Sequence, residues 1–150
     1  MNNEELVGQL KSQSTWRLFF LTIITLGIYS AHYIYRQTKI MNHSLNGGHK
    51  ISEDLVKFIF VFSYVTAIIT IPYLFAPEGH SIETLYDLLD LIWGILIVIW
   101  AFKARNRMNM LLSAVKGQPH WFHGLWTFLF TNLYFNFKIN KLNEMKNSKE

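Results

Sequence analysis

From the amino end, polar, charge-bearing stretches alternate with four runs that are almost free of charge: Trp16 to Tyr35, Phe58 to Phe75, Leu88 to Phe102 and Trp121 to Phe137. As helices these would extend roughly 22–30 Å, close to the hydrocarbon thickness of a bilayer, about 30 Å. β-branched residues are frequent in all four, which in water would favour strands. In lipid a lone strand leaves its amides unpaired, and no run has the strict alternation of a barrel strand. The pattern predicts an all-α integral membrane protein with four hydrophobic helical segments. The middle two span, and the first and last are either spanning or re-entrant and interfacial. Residues 1–15 read as a polar tail or short amphipathic helix with an apolar face of Leu6, Val7 and Leu10. Residues 16–138 form the membrane domain and 139–150 a basic tail.

Local signals mark the ends. Ser52 before Glu53 and Asp54 reads as an N-cap followed by acids that suit the helix dipole, with an Asn46-Gly47-Gly48 turn upstream. Pro72 should kink or end the second segment, and Pro77 and Gly79 punctuate the loop that follows. Thr84 and Asp87 have capping-box spacing before the third segment, with Ser81 a candidate cap one turn earlier. The first apolar run follows acidic Glu4 and Glu5 and carries no small-x-small cleavage site, so it is expected to be retained.

Charge sharpens the picture. Charged residues make up 16% of the chain against about 25% in soluble domains. The net charge of +4 comes from basic residues flanking apolar segments. That placement points to orientation and anionic-lipid contact at the basic loops, and away from nucleic acid. Loop one carries Arg36, Lys39, Lys50 and Lys57, loop three carries Lys103, Arg105, Arg107 and Lys116, and loop two carries no base. The positive-inside rule then puts loops one and three in the cytoplasm of a bacterial inner-membrane, multi-pass protein. Four full spans would strand Lys138, Lys141, Lys146 and Lys149 outside. If segments one and four dip in and return, both termini stay inside, and Gly27 after Thr25-Leu26, and Thr131-Asn132, are the turning points.

A weak internal repeat has a constant shift of 67 positions. It pairs Gly27 with Gly94, Ile28 with Ile95, Tyr33 with Trp100, Tyr35 with Phe102, Arg36 with Lys103, and Met41-Asn42 with Met108-Asn109. Segment four closes similarly, Phe137-Lys138 then Leu142-Asn143, if one residue is dropped. Aromatic belts with flanking bases also recur at any membrane boundary. The residues Thr25, Gly27, Ile28, Tyr29, Tyr33, Tyr35 and Arg36 carry a resemblance. The chain resembles the bacterial integral-membrane domain of unknown function with the signature T-x-G-I-Y-x-x-x-[WY]-x-Y-[KR]. Tyr134 to Glu144 is similar to the tail of that family's later hydrophobic segment. Position 33 is Tyr where Trp is commoner, and segment four lacks the Gly-Ile-Tyr core. The resemblance implies fold and location, not an activity.

Chemistry-bearing residues are sparse. With no cysteine, thiolate metal sites, iron–sulfur clusters and a cysteine nucleophile are excluded. His43 and His49 lie in loop one, and His120 and His123 stand three apart before segment four, but no acid sits beside them at ligand spacing. No catalytic triad, phosphate-binding glycine loop or HExxH motif occurs. Neither a catalytic residue, a cofactor nor a metal is expected. Four intramembrane polar contacts stand out. His32 lies inside segment one, either functional or hydrogen-bonded to a neighbouring helix. Asp90 closes an acidic stripe with Glu83 and Asp87 where the apolar run has already begun. Asn132 and Asn136 share a helical face near Thr127 and Thr131, which suggests a helix–helix or subunit contact. The expected function is a non-enzymatic structural or interaction subunit, a homo-oligomer with a membrane or cytosolic protein partner. An oligomeric channel, pore or membrane-disrupting effector is the alternative, and a lipid-acting enzyme a distant third.

Overall fold

The computed structural model describes residues 3–45 and 47–148. Asn46 of the expected turn, and residues 1, 2, 149 and 150 of the two tails, lie outside them. The described chain is helical, without a strand: α1 (Asn3–Leu10), α2 (Thr15–Ile24), α3 (Ile28–Ser44), a 3₁₀ turn at Gly47–His49, α4 (Glu53–Tyr73), α5 (Ser81–Leu111) and α6 (Gly124–Asn147).

Helix ends follow their caps. The Ser14 hydroxyl accepts from Arg17 N to start α2, and the Ser52 hydroxyl accepts from Leu55 N to start α4, with Glu53 and Asp54 in its first turn. Pro72 lies in the last turn of α4, which ends one residue later. α5 begins at Ser81, one turn before the Thr84–Asp87 spacing. His80 is its cap, accepting from Ile82 N through Nδ1, and Glu83 reaches back to Gly79 N–H. At 31 residues α5 is roughly 46 Å long and continues well past Phe102 into the basic stretch.

Segments one and four are not single straight helices. Segment one is split into α2 and α3 at Leu26 (φ 51°) and Gly27 (φ 90°). α6 is broken at Thr131 (φ 43°, ψ −118°). A straight helix would separate His123 from Tyr134 by about 16 Å along its axis. Instead the Tyr134 hydroxyl accepts from His123 N at 3.1 Å, and the Phe122 ring lies 5.7 Å from that of Phe135. The chain therefore folds back sharply at Thr131.

α5 packs between α4 and α6, α3 lies against α4, and α1 closes onto α3 and α6. Tyr33, Ile34 and Met41 of α3 meet Trp100, Ala104 and Met108 of α5 and Phe135, Ile139 and Leu142 of α6 in one core. Leu6, Val7 and Leu10 are buried in it, so residues 3–10 are a docked amphipathic helix and not a loose tail. The outer faces of α4 and α5 stay apolar and exposed, as at Val61, Ile68, Leu88 and Leu91. Gly47–Tyr73 and Ser81–Leu111 are long and apolar enough to cross a membrane, with only 28% and 22% of the apolar stretch buried. The core helix of a soluble protein would be mostly covered.

Candidate functional site: helix breaks above a clamped polar floor

The first break is built by Thr25, Leu26 and Gly27. Gly27 N donates to Thr22 O (2.8 Å) and Leu26 N to Ile23 O (3.1 Å), the paired bonds of a left-handed helix stop. The Thr25 hydroxyl donates to Leu21 O (2.7 Å) and accepts from Tyr29 N (2.9 Å), joining the end of α2 to the start of α3. Trp93 of α5 lies against the break, so that a Cβ on Gly27 would stand 3.4 Å from the indole. Ile28 is half-buried in the turn that restarts the chain as α3.

Further along α3, Tyr33 is buried with the Arg36 guanidinium over its ring, and Tyr35 packs on Phe60 of α4. The Tyr29 hydroxyl donates to the Gln13 side-chain carbonyl. The His32 ring stands edge-on to Phe60, and its Nε2 is 2.9 Å from the Tyr64 hydroxyl. It therefore joins α3 to α4 at an exposed seam.

The repeat-related asparagines do the same work. Asn42 accepts from Ile51 N and donates to Ile51 O, both at 2.8 Å. Asn109 accepts from Phe122 N (2.8 Å) and donates to Phe122 O (3.3 Å). Each carboxamide mimics a strand partner for one buried apolar residue in the loop that follows, satisfying two backbone groups that would otherwise be buried bare. The Phe122 carbonyl also receives Arg105 Nε at 2.9 Å. Between the two clamps, Trp100 Nε1 donates to the Thr38 hydroxyl at 2.8 Å. Trp100 and Tyr33, paired by the repeat, are both buried.

A third polar knot ties down the α1–α2 linker. Asn136 Nδ2 donates to Gln13 O and to the Thr15 hydroxyl, each at 3.1 Å, and Asn140 Nδ2 shares Gln13 O at 3.0 Å. Gln37 Nε2 reaches Leu10 O at 3.1 Å. Asn132 Nδ2 donates to the Ser30 hydroxyl at 2.9 Å, beside the Thr131 break. The Asn132/Asn136 face therefore has partners inside the chain, which removes it as an argument for a subunit contact.

Other polar residues stay apart. Asp87 and Asp90 are exposed on α5, and among the described residues the only ion pair is Lys57–Glu53, at 3.9 Å. No three His, Asp or Glu side chains gather as metal ligands among the described residues. Lys138 is buried, donates to Pro119 O at 2.7 Å and lies against the Phe122 ring. Desolvation, with the nearby Lys141 charge, holds its pKa below the usual lysine value. Sequence reading missed this lysine, the Gln13 linker and Trp93. A lysine closing an apolar run reads as a boundary charge, and a linker glutamine or a span tryptophan carries no pattern of its own.

A family model described as a domain of unknown function (DUF4234) matches residues 13–110, which is 98 of the 150 residues. It starts at the Gln13 linker, takes in both repeat-related asparagines and stops before Tyr134 to Glu144. No curated protein and no solved structure matches the chain.

Proposed function

The chain belongs to the DUF4234 family over residues 13–110, and from that premise we propose that it is a non-enzymatic, self-associating interaction subunit embedded in the bacterial inner membrane. The observation that carries the reading is the division of charge along α4 and α5. All fourteen Lys and Arg lie outside residues 58–102, whereas the tip of this hairpin carries Glu78, Glu83, Asp87 and Asp90 and no base. By the positive-inside rule the tip is external and both ends of the chain are cytoplasmic.

The helix breaks support insertion of segments one and four without a full crossing. α2 is roughly 15 Å long and the part of α6 before Thr131 roughly 10 Å, well short of a bilayer core of about 30 Å. Arg17 and Arg36 stand ten and nine residues from Gly27, so a dip between them reaches about 15 Å, the midplane. Trp93, ten residues from Lys103, reaches the same depth on α5, which agrees with its contact to Gly27. The backbone bonds at Thr25–Gly27 meet the demand that such a turn leave no bare amide in lipid.

Asp90 gives the self-association its basis. It lies thirteen residues, about 20 Å, from Lys103, inside the hydrocarbon and facing out with no ion-pair partner among the described residues. An acid so placed calls for a protein partner, and, with no base between residues 58 and 102, the partner we infer is a hydrogen-bonding side chain of a second copy. Asn132 and Asn136 of segment four are bonded to Ser30 and Thr15 inside the chain and do not line a common water-facing surface, which weighs against the pore reading. Mass-resolved chromatography in mild detergent should find more than one copy of the wild type and a monomer for Asp90→Leu, and liposomes holding the wild type should pass no small ions. A strictly monomeric wild type would sink self-association, and ion flux would favour the pore.

A further inference from the structure

We propose that the pocket between α3, the Gly47–Lys50 turn and the start of α4 binds the headgroup phosphate of an anionic phospholipid from the cytoplasmic leaflet. The pocket has a volume of about 270 Å³ and is lined by Tyr35, Lys39, His43, Lys50, Glu53 and Lys57 among others. Three lysines face a single acid there, and that acid is engaged with Lys57 at 3.9 Å. Lys39 and Lys50 have no anionic partner among the described residues. Lys39 and His43 also border a groove containing Glu5, but no ion pair forms across it.

The cradle is held in place. The two bonds from Asn42 to the backbone of Ile51 fix the residue next to Lys50 against α3. Lys39, Lys50 and Lys57 themselves stay exposed around this fixed turn, open to a ligand from outside.

Position selects a lipid over a soluble phosphate. The charge-free stretch of α4 begins at Phe58, directly after Lys57, and the half-exposed Phe58 ring packs against Phe62 along the same helix. A phosphate seated among the lysines would sit at the membrane boundary with its acyl chains beside that apolar flank. Basic pockets beside membrane helices on the cytoplasmic side suit such headgroups.

The inference rests on this end of the molecule lying at the cytoplasmic surface. Its test uses mixed micelles, which have no sidedness, so it can fail while the topology stands, and the reverse. Purified protein is titrated with phosphatidylglycerol, phosphatidylcholine or glycerol phosphate, and bound lipid is read by native mass spectrometry. The wild type should prefer phosphatidylglycerol to phosphatidylcholine and ignore glycerol phosphate. Lys39→Gln/Lys50→Gln should lose about 30-fold of that preference, the share of two lysines near an anionic surface, while Lys141→Gln/Lys146→Gln keeps it. Equal loss in both variants, no preference in the wild type, or equally tight binding of glycerol phosphate would each overturn the proposal.

Discussion

Valine at position 27 should destabilise the fold by about 2–5 kcal/mol, and alanine by about 1–2 kcal/mol. The two substitutions separate two costs at one residue. Gly27 has φ 90°, which any L side chain resists, and that cost falls on both variants. An alanine Cβ would meet the Trp93 ring at 3.4 Å, an ordinary contact, so alanine bears little beyond the backbone strain. The extra methyls of valine would push into the indole, and overpacking of that kind adds about 1–3 kcal/mol. Trp93→Leu should therefore recover part of the loss in the valine variant and almost none in the alanine variant. Thermal unfolding in mild detergent, followed by size-exclusion chromatography, ranks the wild type, the two single variants and the two double variants. Equal stability of wild type and valine variant would mean that the break does not depend on glycine.

Removal of the Asn42 carboxamide is the second large effect, and it should exceed removal of Asn109. Asn42→Ala strips both N–H and C=O of the buried Ile51, and each orphaned group costs about 1–3 kcal/mol. Asn109→Ala strips Phe122 N–H, but the Phe122 carbonyl keeps Arg105 Nε as a donor. A loss of about 2–5 kcal/mol is expected for Asn42→Ala and about 1–3 kcal/mol for Asn109→Ala. Arg105→Met combined with Asn109→Ala should bring the second site level with the first. The same unfolding assay reads the order, and equal losses in the two variants would show that the carbonyl bonds contribute nothing.

Helices, caps and breaks were legible to different degrees, for physical reasons. α4 and α5 stand out because a charge-free run of this length has few alternatives, and Ser52 marks its helix because capping is local. Thr25-Leu26-Gly27 could be picked as a turning point because a glycine inside an apolar run is a local signal. Hydropathy alone ran straight across it from Trp16 to Tyr35. Thr131 is harder, since a threonine at φ 43° is held there by its surroundings and not by propensity.

The shift of 67 matched Asn42 to Asn109 as letters only. Their shared task stayed hidden because the clamped residues lie nine and thirteen positions downstream, across loops of unequal length. The partners of Asn132 and Asn136 were hidden for the same reason: Ser30 and Gln13 are more than a hundred residues away. An asparagine stripe with no visible partner looks like an external contact until the chain is folded.

The arrangement as a whole turns on which side of the membrane each end occupies. Single cysteines introduced at Ser81 and at Ser148, both exposed, in this cysteine-free chain can be treated on intact cells with a membrane-impermeant thiol reagent. The proposed arrangement predicts labelling at position 81 and, until the membrane is opened, none at 148. Labelling at both positions on intact cells would place the C-terminus outside, require segment four to cross, and contradict the account.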